Sequence, residues 1–304
     1  MPPAPTDIRG LNADPALARG AVSSRLGAYL RLARLHRPIG TLLLLWPTLW
    51  ALWLASAGHP SVWSVFVFCV GTLLMRSAGC VMNDMADAHF DGHVERTRDR
   101  PIAAGVITRG QALVFALALS LVAFALVLTL NLLTIALAFV ALFLAASYPF
   151  TKRILSIPQA YLGIAFGFGI PMAYASVLDR LSGESVWLLV ANIAWAIAYD
   201  TEYAMVDRDD DLRIGIRSSA ITFGRFDVLA TMLAYLVFFI ILAGIGLNRA
   251  LAPAYYGGLA VAVGMAIYHY RLIRTRTRAG CFRAFNHNNW LGAAVFVGIA
   301  LALR

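Results

Sequence analysis

Charge is what this sequence has least of. Asp, Glu, Lys and Arg together make up 13% of its 304 residues, against ~25% in soluble domains. Lysine is nearly missing, with Lys152 the only one. This scarcity, with 60% hydrophobic residues and a mean hydropathy of +0.73, excludes an ordinary soluble globular chain. Period-two alternation between turn signals is also lacking, which excludes a transmembrane β-barrel. Cys69, Cys80 and Cys281 show no C-x-x-C spacing and lie in or beside apolar runs, so they read as buried small hydrophobes. Residues 1–24 lack an apolar h-region and carry Asp7 and Asp14. They read as a flexible tail and not as a signal or transit peptide.

Long apolar runs are what the chain does have. A hydrocarbon core ~30 Å thick takes roughly 20 apolar residues per helix. Runs of that size occur at 39–57, 61–82, 111–130, 132–149, 157–178, 185–206, 227–247, 252–273 and 286–303. The expectation is an all-α integral membrane protein, one domain over 25–304 with nine transmembrane helices and no soluble module. The net charge of +9 does not point to nucleic acid, because its placement is a topology signal. Alternate connections hold 21 basic residues and the others 3, with Arg76 the only basic residue well inside a span. That asymmetry puts the N-terminus and both acidic clusters on the cytoplasmic side of the membrane.

The acidic clusters are "NDMADAHFD" (83–91) and "YDTEYAMVDRDDD" (199–211), each closing an apolar run. Asn83, Asp87 and Asp91 are spaced i, i+4, i+8, and Asp207 and Asp211 i, i+4, so each set shares a face if its helix continues. Acids at a helix C-terminus oppose the macrodipole, and like charges at i, i+4 repel. Bearing that penalty twice on one membrane face suggests a bound cation. The available ligands, Asn83, Asp84, Asp87, Asp91, Asp207 and Asp211, are all oxygen donors, which selects Mg²⁺ or Ca²⁺. His89 and His93 are also i, i+4, but zinc is disfavoured among so many oxygens. Arg96, Arg98, Lys152, Arg153, Arg208, Arg213 and Arg217 lie close by in sequence and could cradle a diphosphate. No glycine-rich phosphate loop is present to do so. At a lipid boundary, the natural ligand is a lipid diphosphate, whose allylic form ionises when metal stabilises the departing oxygens. A membrane-embedded pocket then shields the cation from water.

These stretches resemble the two Asp-rich signatures, N-D-x-x-D-x-x-x-D and D-x-x-x-D, of the UbiA family of intramembrane prenyltransferases. The likeness extends to "LARLHRPIGTLLLLWPTLWALW" (32–53), "YPFTKR" (148–153), "PQAYLGIAFGFGIPMAY" (158–174) and "CFRAFNHNNWLGA" (281–293), and is strongest with members acting on 4-hydroxybenzoate. The resemblance implies nine helices around a central cavity open to cytoplasm and lipid, with Mg²⁺ between the second and sixth. It implies transfer from polyprenyl diphosphate to 4-hydroxybenzoate, ortho to the hydroxyl, in ubiquinone synthesis at the bacterial inner membrane. By position, Asn83, Asp87, Asp91, Asp207 and Asp211 match the metal and diphosphate ligands. Asp200 matches a family acid, and Arg76 an arginine facing the acceptor's carboxylate. Independently, an ionisable residue inside a membrane span is a functional candidate in its own right, and Arg76 is one such. Glu202 departs from the family pattern, which has a neutral polar residue there; it could be a surface carboxylate or one that tunes Asp200. Two other classes compete. A cation transporter would keep its acids near the midplane on broken helices. A phospholipid-type phosphotransferase would need a D-G-x-x-A-R context that "DGHVER" (91–96) matches only superficially.

Overall fold

The computed structural model describes residues 25–91, 99–151, 154–215 and 217–304, with backbone only at 89–91, 149 and 214. The expected tail, 1–24, lies outside them. Every regular element among the described residues is helical: α1 (Arg25–Leu32), α2 (Ile39–Ala55), α3 (Val62–Asp91), α4 (Arg109–Val127), α5 (Leu132–Thr151), α6 (Pro158–Gly167), α7 (Gly169–Leu178), α8 (Gly183–Ile214), α9 (Ser219–Phe223), α10 (Asp227–Asn248), α11 (Pro253–Ile273) and α12 (Arg278–Ala302). Four helical stretches, 62–88, 109–127, 158–178 and 219–248, are long and apolar enough to cross a membrane, and 39–55 and 132–148 are shorter apolar helices. Their outward faces carry exposed Leu, Val and Phe, as at Leu113, Val114, Leu117 and Leu121 of α4. In water such a surface would aggregate; in lipid it is solvated.

Local chemistry explains the boundaries. Thr108 and Gln111 form a reciprocal capping box that starts α4. Ser182 caps α8 by accepting from the Ser185 amide, and Gly215 ends it at φ 72°, a left-handed conformation that suits glycine. The expected span 157–178 is broken at Phe168 into α6 and α7. Pro171 explains the break, since it has no N–H to donate to the carbonyl four residues back. The last helix begins at Arg278, eight residues before the expected 286. Its polar stretch Asn286–Asn289 stays helical with its side chains partnered: Asn286 donates to the Phe282 carbonyl, His287 meets His269, Asn288 meets Glu202 and Asn289 accepts from Trp46.

The core is aromatic and sits between α2, α8, α10 and α12. Trp50 and Trp195 lie 5.1 Å apart, and Phe238 stacks on Trp195 at 5.8 Å, all three fully buried. Gly292 permits this approach: a β-carbon there would stand 2.6 Å from Trp46 and 2.8 Å from Trp195. At the far end of the bundle from the acidic clusters, Glu184 accepts from Tyr174 and from Arg249 Nε at 2.6 Å, joining α7, α8 and the end of α10.

Candidate active site

α3 and α8 both run straight through their acidic clusters, to Asp91 and Ile214. The condition for the i, i+4 reading is therefore met. Asn83, Asp87, Asp207 and Asp211 are half-buried, on the two helices that carry the clusters.

The depth of the site follows from Arg76 and Tyr199, which interact electrostatically across the gap between α3 and α8. Asn83 lies seven residues beyond Arg76, and Asp207 eight beyond Tyr199, so each cluster sits about 10–12 Å further along its helix. Both therefore reach the same level of the bundle.

Arg76 occupies a built niche. Its guanidinium lies against Gly40 of α2, where a β-carbon would stand 2.5 Å from Nη2, and its carbon is 5.6 Å from the Phe166 ring centroid. Among the described residues no carboxylate forms an ion pair with it. Tyr199 is 1% exposed and its hydroxyl has no hydrogen-bond partner among the described residues. Arg76 from α3 and Tyr199 from α8 thus lie within electrostatic reach of each other, with Arg76 backed by α2 and α6.

The metal expectation can be tested on the donors. Among the described residues no three carboxylate, imidazole or thiol groups converge as a self-sufficient metal site. Mg²⁺ does not require one, since it is usually held by one or two carboxylates together with substrate phosphate and water. The Asn83 Oδ1 is a buried acceptor without a partner among the described residues, one helical turn from Asp87. An unsatisfied oxygen beside carboxylates fits a hard cation and offers nothing to a soft one.

Other expected residues have different surroundings. Asp84 is buried between two guanidiniums, 2.8 Å from Arg34 Nη2 and 3.1 Å from Arg100 Nη1. It ties α3 to the segment after α1 and to the α3–α4 connection. Arg208 Nη1 stands 3.3 Å from Asp227, which is fully buried and also grips Arg276 at 2.6 Å. Hydrogen bonding to Asp227 holds the Arg276 guanidinium above its ordinary pKa. Arg213 is exposed, with its Nη1 3.8 Å from Asp210. Arg217 donates to the Ile154 carbonyl at 3.1 Å, docking the α8–α9 connection beside α6. Asp200 is half-buried on α8. Arg96, Arg98, Lys152 and Arg153, the Asp91 side chain, and the His89/His93 pair lie outside what is described.

Glu202 loses one of its two open readings. It is fully buried, not a surface carboxylate. Asn288 Nδ2 donates to its Oε2 at 2.8 Å, and the Tyr235 hydroxyl lies 3.0 Å from its Oε1. That hydroxyl is also 2.8 Å from Asn288 Oδ1 and 2.9 Å from His269 Nδ1. The orientation of Asn288 is set by a pure donor, Trp195 Nε1, and a pure acceptor, the Ala284 carbonyl. Tyr235 has one hydrogen for three neighbours. The count closes when Tyr235 donates to Asn288 while Glu202 and His269 each supply a hydrogen to its oxygen. Glu202 is then a neutral carboxylic acid, and His269 Nε2 accepts from His287 Nδ1 at 2.9 Å. Sequence reading could find the polar stretch on α12, but not that it closes over an acid on α8.

The sequence pattern of the UbiA prenyltransferase family matches residues 44–291. The chain belongs to the UbiA prenyltransferase family. Membership displaces the transporter and phosphotransferase readings and makes the chain a membrane-integral prenyltransferase. It is 64% identical over 279 residues to the 4-hydroxybenzoate octaprenyltransferase of Methylobacillus flagellatus, spanning 92% of this chain and 94% of that one. The protein of the same description from Aromatoleum aromaticum is 60% identical, over 94% of this chain and 97% of its own. In fold, the chain resembles the apo UbiA homolog from Aeropyrum pernix K1, with TM-score 0.76 and 22% identity over 86% of this chain and 97% of that one. It also resembles the Archaeoglobus fulgidus UbiA homolog bound to GPP and Mg²⁺, with TM-score 0.69 and 14% identity over 91% and 99% of the two chains.

Proposed function

We propose that this prenyltransferase moves a polyprenyl group from polyprenyl diphosphate to 4-hydroxybenzoate, at the carbon ortho to the hydroxyl. The allylic carbon–oxygen bond of the donor breaks, its electron pair leaving with diphosphate. A carbon–carbon bond forms to the ring, and the ring proton at that carbon is released. The relatives near 60% identity that carry this activity in their names support the reading. The observation that carries it here is the Arg76 niche: a guanidinium without a carboxylate partner among the described residues, set about 10 Å below the oxygen-rich end of its own helix. A guanidinium fork fits an acceptor's carboxylate bidentately, and the separation leaves the cluster end for the diphosphate.

Asn83, Asp87, Asp91, Asp207 and Asp211 would hold a divalent cation, for which Mg²⁺ is the proposal. When bound, such a cation supplies charge neutralisation at the departing diphosphate oxygens. Asp84 is left out of this set, because two arginines already occupy it. Arg96, Arg98, Lys152 and Arg153 are proposed to hold the diphosphate, and Asp200 to serve beside them. Arg76 and the apolar walls orient the ring, and burial keeps water from the allylic cation. The same proposal takes α2, α3, α4, α5, α6–α7, α8, α10, α11 and α12 as nine crossings around a cavity. It places the clusters on the cytoplasmic side of a bacterial inner membrane.

The test is to incubate membranes holding the protein with Mg²⁺, labelled 4-hydroxybenzoate and prenyl diphosphates of several lengths. Prenylated 4-hydroxybenzoate is expected. No product with any donor would overturn the substrate assignment, and full activity after exhaustive chelation would overturn the metal.

A further inference from the structure

Tyr199 stands out as a buried polar group whose hydroxyl has no hydrogen-bond partner among the described residues. Its ring is 5.2 Å from Trp195, edge to face, and 6.3 Å from Phe285. Trp195 is itself pinned by its Nε1 hydrogen bond to Asn288, 2.8 Å long. The ring therefore cannot swing to seek a carbonyl. A phenol has only two side-chain torsions, so a clamped ring leaves its hydroxyl pointing one way. Buried hydroxyls are nearly always satisfied, and one left unmade costs folding free energy that evolution would remove by a change to Phe.

The surroundings say what would satisfy it. The charges and hydroxyls within its electrostatic reach are Asp200, Tyr148 and Arg76. Asp200 is the next residue on the same helix and so faces another direction. Arg76 reaches the same space from α3, backed by Gly40 and Phe166. A cation and an unpartnered phenolic hydroxyl, on two helices and within electrostatic reach of each other, suit an anion with two acceptor oxygens. We propose that the Tyr199 hydroxyl donates a hydrogen bond to the carboxylate of the aromatic acceptor, beside Arg76, and so selects acceptors bearing that group. This rests on the proposed reading of Arg76 and 4-hydroxybenzoate. It adds a second, uncharged reader held in place by the Glu202–Asn288–Trp195 chain of contacts.

The test exploits opposite signs. Tyr199→Phe removes an atom that makes no bond in the empty protein, so thermal unfolding in detergent without substrates should be unchanged or shifted upward. The KM for 4-hydroxybenzoate should rise roughly 10- to 100-fold, the range for a hydrogen bond to a charged group. The KM for the prenyl diphosphate should stay put. With 4-hydroxybenzamide, whose amide cannot receive this charge-assisted bond, the wild type should lose the advantage and Tyr199→Phe should match it. An unchanged KM for 4-hydroxybenzoate would overturn the role of Tyr199, as would equal losses for both substrates with a lowered melting temperature. Calorimetric titration of 4-hydroxybenzoate into the wild type separates the two levels. Binding that is equally tight in wild type and Tyr199→Phe removes only the tyrosine. No binding to either, with no product, removes the acceptor assignment beneath it.

Discussion

A β-carbon at position 40 would stand 2.5 Å from the Arg76 Nη2 and 2.7 Å from its Nε. Gly40 on α2 and Arg76 on α3 are therefore one device, in which the missing side chain on one helix makes the seat for the cation of the other. Arg76→Ala should raise the KM for 4-hydroxybenzoate strongly and that for the prenyl diphosphate little. Losing a desolvated charge pair costs on the order of 2–5 kcal/mol. Arg76→Lys should recover only part, because an ammonium keeps the charge and loses the fork. Gly40→Ala should reproduce the acceptor defect without touching Arg76 chemically. Steady-state kinetics on folded variants decide, and equal damage to both substrates would count against the carboxylate-reading role.

Neighbouring aspartates should behave in opposite ways. Asp87→Ala and Asp207→Ala should abolish turnover while the protein inserts and purifies normally. Retention of more than about a tenth of the wild-type rate, ~1.4 kcal/mol in barrier, would contradict their assignment as ligands. Asp84→Ala should instead lower stability, by roughly 3–5 kcal/mol for a broken buried pair, because Arg34 and Arg100 lose their shared carboxylate. Melting temperature and activity measured on the same preparations separate the two phenotypes.

Glu202→Gln should be nearly silent in stability and in rate. An amide places an oxygen for Asn288 Nδ2 and a hydrogen for the Tyr235 oxygen, the pattern that a neutral acid already provides. Glu202→Leu should destabilise by about 1–3 kcal/mol, since it leaves both neighbours unpaired in the bundle. Thermal unfolding in detergent is the measurement, and a Gln variant as unstable as the Leu variant would mean that the carboxylate is ionised.

Asp227→Asn should loosen the connections at the acidic-cluster end of the bundle without altering the proposed metal ligands. Asp227 gathers Arg208 from α8 and Arg276 from the α11–α12 connection. Hydrogen exchange should quicken over 207–226 and 274–278 while the aromatic core stays protected.

What could be read from the sequence was what a single helix determines. The continuation of α3 and α8 through their acids follows from i, i+4 spacing, and Arg76 is conspicuous as a charge in an apolar run. Features that depend on a second helix were not legible. Arg208 reads as a phosphate ligand, and only the fold shows that it also donates to Asp227, nineteen residues on. Glu202 stays undecided between a surface and an interior carboxylate until Tyr235, His269 and Asn288 are seen close around it. Pro171 was visible, but whether a proline kinks or breaks a helix depends on what packs across the gap; here Thr48 of α2 lies where a Gly169 side chain would be.

The stack of Trp50, Trp195 and Phe238 has a consequence for the membrane as a whole. Trp195 lies one helical turn below Tyr199, about 6 Å deeper, and all three rings are fully buried. A pocket lined with acids and arginines in an energised membrane is a hazard, because water and protons entering it could cross and discharge the gradient. The polar atoms of the indoles are occupied: Trp50 Nε1 is spent on the Gly292 carbonyl and Trp195 Nε1 on Asn288. Beneath them, Glu184 with Tyr174 and Arg249 closes the opposite end. Proteoliposomes carrying this enzyme should therefore hold a pH gradient as long as empty vesicles do, and replacing Trp195 by Ala should make them leak.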